Sequence, residues 1–522
     1  MRKIPATMST QHPDDVNLPV WVKEETIEGD DEVHEAYYVY RELGCEEQMW
    51  DWEGKDVDPN IVRKLLSQYT DFFKEEIIGQ DIFLTYRVPN PSIKGAERKV
   101  LIEALESIPR CFDITQTFFG GKAVPPIFEV ILPMTTTSIE LLRVLSCYQK
   151  IIVGKEDMPL HDIEDITIGG WIGEFEPKKI EMIPLVENKE SLSHIDRILK
   201  GYIKYVRPNY LRVFLARSDP ALNYGLFPAV LLNKLALSKI SRTSKETGVQ
   251  MFPIVGTGSL PFRGHLMPDN IEGYLNEYAG VTTVTVQSAL KYDFSEEVAR
   301  SIVDKLNRDL KHGKISEMTQ DQEKSIERII DSLKDQYQSR VESLSHIINY
   351  VAKFIPRRRA RKLHIGLFGY GREVGKVSLP RAISFTASMY SLGIPPELLG
   401  ASAFLNLKEK DWNLLTEVYK NWKEDLRFSA GFLCWSNLNY LMGEKEVIEN
   451  VTNTFHLGYV LPEILKDLEA IEENFNIRLG PRDLDRRKHE NIVNNILIAI
   501  ARDSPEMKRY IEEAAKIRHS LG

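Results

Sequence analysis

The feature that most constrains the fold is the alternation of short apolar segments with longer amphipathic ones in the first half of the chain. Helical periodicity of ten or more residues, as at 192–205 and 229–247, separates the apolar segments. Strands that alternate with helices in this way predict an α/β fold with a parallel sheet, and six or more such strands predict a TIM-type (β/α)8 barrel. The predicted strands are 81–88, 127–132, 180–186, 211–216, 251–255 and 281–286.

The second half of the sequence has a different pattern. From about residue 296 the periodicity is mainly helical, with one late strand predicted at 362–368. We therefore expect one barrel-based catalytic domain over 1–522, heavily elaborated with extra α-helices. Residues 1–295 would supply most barrel strands and the site, and the mainly helical residues 296–522 would wrap around them.

Composition limits the possible partners and the compartment. The 522 residues include 67 Lys and Arg against 76 Asp and Glu, a net charge of -9, which gives no general attraction to nucleic acid or to a membrane surface. No apolar run approaches the roughly 18 residues of a membrane span. The four cysteines are far apart and form no CxxC pair, as is typical of reduced cytosolic proteins. We expect a soluble, cytoplasmic protein without nucleic-acid or membrane partners.

Polar residues follow the predicted strand 211–216 abruptly. Arg217 and Asp219 come directly after it, and Pro220 disfavours a helical conformation at Asp219. Glu129 interrupts another apolar segment, 127–134, where an unpaired carboxylate would be costly. Taken alone, Glu129 favours a salt bridge to a neighbouring strand. Together with Asp219 it predicts a site for Mg²⁺ or Mn²⁺, which prefer oxygen ligands.

A glycine-rich segment after the strand 251–255 contains a second candidate cation. Arg263 and Gly264 lie in GTGSLPFRGH (256–265). Arginine binds phosphate or carboxylate in a bidentate manner, and glycines allow backbone N–H groups to approach an anion closely. The alternative is a glycine-rich turn with a solvated arginine. Because Glu129 and Asp219 already predict a metal site at the strand ends, we favour the first alternative, an anion site made by Arg217 and Arg263.

Three other segments contain candidate functional residues. His12, in STQHPD (9–14), is a loop histidine of a kind that is more often structural than catalytic. The segment 369–375 has GxGxxxG spacing, one residue too long for a dinucleotide site, but it can form a mobile flap in which Arg372 meets an anion. The basic run 357–362 is more typical of a solvated helix end than of a nucleic-acid site.

These motifs together resemble the archaeal-type phosphoenolpyruvate carboxylases. The resemblance rests on STQHPD (9–14), IFEVILPM (127–134), LARSDPALNYG (215–225), GTGSLPFRGH (256–265) and TVQSALKYD (285–293), and it continues through LHIGLFGYGRE (363–373) and LPRAISF (379–385). It implies a homotetrameric barrel enzyme, dependent on Mg²⁺ or Mn²⁺, that fixes carbon dioxide by converting phosphoenolpyruvate and bicarbonate to oxaloacetate and phosphate.

The resemblance also implies roles for individual residues. Glu129 and Asp219 would hold the metal, and His12 would act as the catalytic base. Arg263, and less directly Arg217, would bind the phosphoryl group beside Gly264. Arg372 and Arg381 match regions that hold substrate or an acidic inhibitor in longer bacterial and plant relatives.

Two rival functions stay open from the residues alone. One is another Mg²⁺-dependent phosphoenolpyruvate or pyruvate-enolate barrel, a phosphotransferase or lyase, which would not depend on bicarbonate. The other is a helical binding protein that uses the basic run 357–362 on an acidic partner. The second predicts no metal binding at Glu129 and Asp219.

Overall fold

Eight parallel strands close into a barrel in which each strand pairs with the next one in sequence. The computed structural model describes residues 2–54, 57–93, 95, 98–359, 372–374, 377–443 and 451–522. β1 pairs with β8 through Thr7 and Val284, which closes the ring and confirms the predicted (β/α)8 barrel. The strands are β1 Thr7–Ser9, β2 Glu47–Asp51, β3 Phe83–Arg87, β4 Glu129–Leu132, β5 Glu181–Val186, β6 Tyr210–Ala216, β7 Gln250–Gly256 and β8 Thr283–Val286.

Two of these strands, β1 and β2, are not among the strands predicted from the sequence. β1 and β2 are only three and five residues long and contain Thr, Ser, Glu, Gln and Asp. Short strands with polar side chains turned into a barrel show neither an apolar run nor a clear alternation, so their pattern does not separate them from loops. The six strands predicted from apolar segments are all present. The strand predicted at 362–368 lies outside the described residues.

Helices surround the barrel and make up most of the second half of the chain. Local signals set several of their ends. Thr137 and Glu140 form a capping box at the start of the helix Ser138–Cys147, and Gly248, at φ 72°, ends the long helix Leu226–Thr247. The helices of the first half are Asp30–Arg41, Ile61–Gln68, Thr70–Glu75, Val100–Phe118, Ser138–Cys147, Ile168–Ile172, Lys189–Ser193, Ile195–Val206, Ser218–Tyr224, Leu226–Thr247, Ile271–Glu277 and Ser288–Tyr292.

The second half packs on the barrel through one continuous hydrophobic cluster. Val284 of β8 and Ile511 near the end of the chain both belong to that cluster. This agrees with the single unit predicted over 1–522, which stays a prediction. The second-half helices are Glu296–Asp309, Gln320–Ala352, Ala382–Leu392, Glu409–Val418, Trp422–Ala430, Trp435–Gly443, Leu461–Phe475, Leu484–Arg502 and Met507–Arg518, with an antiparallel pair of strands β9 Arg372–Val374 and β10 Val377–Leu379.

Candidate active site

A cavity of about 110 Å³ opens at the carboxyl ends of the barrel strands. This is the end of a TIM barrel at which active sites are found. Its wall combines cations and carboxylates from separate strand ends with a few apolar side chains. The charged and histidine residues of the wall are His12, Glu53, Arg87, Glu187, Arg217, Asp219, Arg263 and Arg381.

Arg263 is buried in the wall of this cavity, and all three nitrogens of its guanidinium group donate hydrogen bonds. Nη1 donates to Asp14 Oδ2 (3.0 Å) and to the carbonyl of Gly522 (2.5 Å). Nη2 donates to Gln287 Oε1 (2.5 Å), and Nε donates to Ser218 Oγ (3.2 Å). A guanidinium fixed in this way is preorganised, because little side-chain entropy is left to lose when an anion binds.

The turn that carries Arg263 depends on its glycines. A Cβ at Gly258 would lie 2.9 Å from the Arg263 guanidinium carbon, so glycine leaves room for that side chain. Gly264 has φ 133°, and a Cβ there would lie 2.7 Å from Thr257 Cβ. The structure therefore gives Gly264 a part in the turn beside Arg263, and substrate contact at Gly264 stays a prediction.

Arg217, at the end of β6, is also buried beside the cavity. Its Nη1 donates to the carbonyl of Phe262 (3.2 Å), and Nη2 lies 3.4 Å from the carbonyl of Pro261. Both acceptors belong to the segment that carries Arg263. The two arginines predicted from sequence are therefore brought together, and their positions depend on the same turn.

Asp219 contributes to the cavity wall and, contrary to the expectation from Pro220, lies in the first turn of the short helix Ser218–Tyr224. Proline is tolerated in a first turn because the N–H that it lacks would have no intrahelical partner there. Glu187 follows the last residue of β5 and contributes to the same wall. β5 and β6 are neighbours in the barrel, so the two carboxylates come from adjacent strand ends. Mg²⁺ is usually held by one or two carboxylates together with substrate and water oxygens, and these residues fit that ion. Within the described ranges, no group of three or more His, Cys, Asp or Glu is arranged to hold a metal.

His12 follows β1 and also lines the cavity, as expected for a catalytic base. Its Nδ1 lies 2.8 Å from Thr10 Oγ1. Its carbonyl accepts hydrogen bonds from the backbone N–H groups of Asp14 (3.0 Å) and Ser288 (3.4 Å). These contacts fix the loop after β1 against the end of β8.

Arg87, the last residue of β3, is a cavity cation that the sequence reasoning missed. Its Nε and Nη2 donate to Asp51, the last residue of β2, at 2.8 and 2.5 Å. Burial alone would lower the pKa of Arg87, but Asp51 and Glu53 outweigh it and raise that pKa. A signal was available: Arg87 ends an apolar strand just before Pro89-Asn90-Pro91, as Arg217 ends another before Pro220.

The two remaining predicted arginines are Arg372, which lies before β10, and Arg381, which lies after it. Arg381 precedes the helix Ala382–Leu392 and lines the cavity together with Ala382. Arg372 begins β9 Arg372–Val374, and residues 369–371 and 375 of its predicted flap lie outside the described residues. Binding of substrate or effector by either arginine stays a prediction.

Comparison of the chain with known families decides which family this barrel belongs to. The sequence model of the family described as "Phosphoenolpyruvate carboxylase" matches residues 4–522. The chain belongs to the phosphoenolpyruvate carboxylase family. Two relatives carry the family name and align over the full length of both chains: one from Metallosphaera sedula is 46% identical over 527 residues, and one from Caldivirga maquilingensis is 44% identical over 523.

A third relative agrees with this membership in the phosphoenolpyruvate carboxylase family. A relative of the same name from Picrophilus torridus is 41% identical, with 99% of each chain aligned. Among solved structures, a malate synthase complex with magnesium and glyoxylate from Haloferax volcanii is 14% identical, with a TM-score of 0.35 over 64% of this chain and 86% of that one. Among the described residues, no helix is long and apolar enough to cross a membrane.

The position of Glu129 in this family member corrects the metal pair predicted from sequence. Glu129 is the first residue of β4 and lies in register with Glu181, the first residue of β5. Its carboxylate accepts from Tyr210, the first residue of β6, at 2.9 Å. Tyr210 precedes Ala216, the last residue of β6, by six positions, about 20 Å of strand. Glu129 and Asp219 therefore lie at opposite ends of the barrel and do not share an ion.

Glu129 belongs instead to a buried ion cluster at the amino-terminal ends of the strands, which we call the barrel floor. Arg212 donates to Glu129 Oε2 (2.7 Å) and forms two hydrogen bonds with Glu47 (2.8 and 2.7 Å). Burial alone would lower the pKa of Arg212, but the two carboxylates outweigh it and raise that pKa. The sequence of 127–134, taken alone, favours a salt bridge for Glu129, and the structure has one. Its partner lies on β6, beyond the neighbouring strand β5, because the side chains cross the inside of the barrel.

We predict that Arg212→Met destabilises the protein without disabling the site. Removal of the guanidinium leaves Glu47 and Glu129 buried without a counter-ion, which costs about 3–5 kcal/mol of unfolding free energy. Chemical denaturation measures that loss. Below the unfolding transition, the folded fraction should keep its KM, because the cluster lies at the far end of the barrel from the cavity. A KM that changes with stability would contradict this separation.

The basic run 357–362 is solvated only in part where the structure describes it, since Arg357 is exposed and the next two arginines are buried. Arg358 is buried and donates to the carbonyl of Val16 (2.6 Å), and Arg359 is buried and donates to Glu35 (2.5 Å). Burial of Glu35 would raise its pKa, but Arg359 and Lys291 outweigh that effect and lower it. These two arginines join the helical half to the amino-terminal segment. Residues 360–362 lie outside the described residues.

Proposed function

We propose that this chain catalyses the carboxylation of phosphoenolpyruvate by bicarbonate, giving oxaloacetate and phosphate. The observation that carries the proposal is the cavity wall, in which four arginines and three carboxylates meet beside a histidine. Phosphoenolpyruvate has a phosphate and a carboxylate, and arginine forks match both groups. The chain's membership in the phosphoenolpyruvate carboxylase family supports the same reaction.

The arginines would divide the substrate between them. Arg263 and Arg217 are fixed by the turn after β7 and would hold the phosphoryl group. Arg87 and Arg381 come from other parts of the wall, and we assign them to the substrate carboxylate or to bicarbonate. Charge that develops on the phosphoryl oxygens during transfer would be stabilised by donors that are already in place.

Glu187 and Asp219 would hold the divalent cation, in place of the pair Glu129 and Asp219. Both carboxylates line the cavity, and substrate oxygens and water would complete the ligand set. When bound, Mg²⁺ or Mn²⁺ supplies Lewis-acid stabilisation of negative charge on the substrate oxygen.

The reaction would proceed by attack of a bicarbonate oxygen on phosphorus. The bond between phosphorus and the enol oxygen breaks, which leaves carboxyphosphate and the enolate of pyruvate. Loss of the carboxyphosphate proton releases carbon dioxide and phosphate, and the enolate methylene carbon then bonds to carbon dioxide. Water must be excluded meanwhile, because protonation of the enolate gives pyruvate.

His12 would take the carboxyphosphate proton and return it to the departing phosphate. If Nδ1–H donates to Thr10 Oγ1, Nε2 is left without a proton and can act as the base. Histidine suits this step because its ordinary pKa lies close to neutrality.

We predict that His12→Asn separates the two halves of the reaction. Phosphoryl transfer to bicarbonate should continue in part, whereas oxaloacetate formation should fall about a hundredfold or more, as is typical for loss of a general base. Parallel assays of phosphate and oxaloacetate measure the ratio. Oxaloacetate formation at the wild-type rate would show that His12 is not the base.

A coupled assay for oxaloacetate tests the proposed function as a whole. The expected result is oxaloacetate only when phosphoenolpyruvate, bicarbonate and a divalent cation are all present. Another enolate barrel, a phosphotransferase or lyase, would turn over without bicarbonate. That result would replace the proposal by this alternative.

The remaining expectations concern the protein in the cell. We propose a cytoplasmic homotetramer, as the family resemblance implies. Size-exclusion chromatography with light scattering measures the subunit number, and a mass of one or two chains would contradict the tetramer.

A further inference from the structure

The turn that positions both arginines is held by the helical half of the chain. We call residues 257–266 the β7 loop. Within it, Gly258 N–H donates to the carbonyl of Arg263 and Arg263 N–H donates to the carbonyl of Leu260, each at 2.8 Å. These bonds give the loop a compact shape. They leave the backbone N–H of Phe262 for a partner outside the loop.

That partner is Glu397, a buried residue of the short 3-10 helix Pro396–Leu398. Its Oε1 accepts from the Phe262 N–H (2.9 Å) and from the Tyr390 hydroxyl (2.8 Å). Phe262 precedes Arg263 in the chain, and its carbonyl accepts from Arg217. The Glu397 carboxylate therefore holds Phe262, which is bonded covalently to Arg263 and by a hydrogen bond to Arg217.

Neighbouring contacts hold the loop against the same helices. Leu260 packs in a small buried cluster with Tyr390 and Phe432. His265, at the end of the loop, forms a 2.6 Å contact through Nδ1 with Asp425. Glu397 differs from these contacts, since it accepts a hydrogen bond from the backbone of the residue before Arg263. Leu260 and His265 make their contacts through side chains.

We propose that Glu397 is a positioning residue for the carboxylation site: it fixes the peptide of Phe262 and thereby the guanidinium groups of Arg217 and Arg263. The inference rests on the proposed function, since it assigns those arginines to the phosphoryl group. Burial raises the pKa of Glu397 to about 7, but both hydrogen bonds need only an oxygen acceptor. Glu397→Gln should therefore keep both hydrogen bonds, whereas Glu397→Ala should lose them.

The test compares Glu397→Ala, Glu397→Gln and a matched control. Asp467 is also fully buried in the helical half and accepts from the backbone N–H groups of Gly400 (2.9 Å) and Ser402 (3.0 Å), neither of which belongs to the β7 loop. We expect Glu397→Ala to raise KM for phosphoenolpyruvate about tenfold and lower kcat/KM about a hundredfold, as displacement of substrate-binding groups by about 1 Å does. Glu397→Gln should keep KM within about twofold of wild type, and Asp467→Ala should lose stability with KM unchanged.

A second variant covers the case in which Glu397→Ala does not fold. Glu397→Asp keeps the carboxylate but withdraws it by one methylene group from the Phe262 N–H, and we expect a severalfold rise in KM. A wild-type KM in Glu397→Asp or in folded Glu397→Ala, or equal KM changes in Glu397→Ala and Asp467→Ala, would overturn the positioning role.

Failure of the proposed function gives a different result. Wild-type protein without bicarbonate-dependent turnover would refute that function, and calorimetric titration with phosphoenolpyruvate would then test the positioning role by itself. Equal dissociation constants for wild type and Glu397→Ala would refute the role of Glu397. A weaker constant in Glu397→Ala alone would support it.

Discussion

Asp219→Asn should lower kcat about a thousandfold or more while the protein stays folded. The amide keeps the size of the side chain but loses the charge that would hold the divalent cation, whose stabilisation of the reacting oxygen is worth several kcal/mol. Asp219 is half-buried in the first turn of a seven-residue helix, where a carboxylate stabilises by about 0.3–1 kcal/mol. Turnover and chemical denaturation, measured on the same sample, separate the two effects.

Two further variants test the metal assignment. Glu187→Gln changes the second proposed ligand, and Glu129→Gln is its matched control. Glu187→Gln should weaken Mn²⁺ binding, followed by electron paramagnetic resonance, and lower turnover in the same way as Asp219→Asn. Glu129→Gln should bind Mn²⁺ as the wild type does and lose only stability, because its partners are Arg212 and Tyr210 on the barrel floor. Loss of Mn²⁺ binding in Glu129→Gln, with normal binding in Glu187→Gln, would reverse the assignment.

Arg263→Lys should lower kcat/KM by about 10²–10³-fold, although the positive charge is kept. Removal of one preorganised donor to developing negative charge typically has an effect of this size. Lysine supplies a point charge in place of the planar fork that contacts Asp14, Gln287 and Ser218 together. The retained charge limits the loss of stability, since Asp14 is buried and needs a cation.

A lysine at Arg340 provides the control for this substitution. Arg340 is another buried arginine, and its Nε donates to the buried Asp467 (3.1 Å) within the helical half. Arg340→Lys should lower stability by a comparable amount and leave kcat/KM unchanged. An equal loss of kcat/KM in the two variants would show that the effect of Arg263→Lys is a general result of disturbing a buried ion pair.

The sequence predicted the barrel because six of its strands are apolar runs with helices between them. Thr7–Ser9 and Glu47–Asp51 were missed since their pairing depends on the closed ring, which supplies partners on both sides. The helical periodicity of 411–428 predicts one helix there, but the structure has two, Glu409–Val418 and Trp422–Ala430. The helix Leu461–Phe475 was not predicted.

The residues of the site were predictable where chemistry and chain position agree. Arg217, Asp219 and Arg263 follow predicted strands, and all three line one cavity. His12 lines it too, but it was predicted from the family resemblance, because the strand before it was missed. Glu129 was predicted at the wrong end of the barrel, because the sequence does not show whether an acid in an apolar segment lies at the start or at the end of the strand. The register of β4 with β5 places it at the start, on the barrel floor.

Glu187 and Glu397 show two further limits of the sequence. Glu187 directly follows the predicted strand 180–186 and had the right position, but a single acid in a polar loop gives little signal. Glu397 acts across the chain on Phe262, 135 residues away, and no local pattern reports such a contact.

The most direct test of the carboxylation mechanism is the fate of oxygen from ¹⁸O-labelled bicarbonate. Attack of bicarbonate on phosphorus transfers one bicarbonate oxygen to the phosphate product, so mass spectrometry should find one ¹⁸O atom per phosphate and the remaining label in oxaloacetate. Phosphate that carries only unlabelled oxygen, released together with oxaloacetate, would contradict this mechanism and the roles assigned to Arg217, Arg263 and His12.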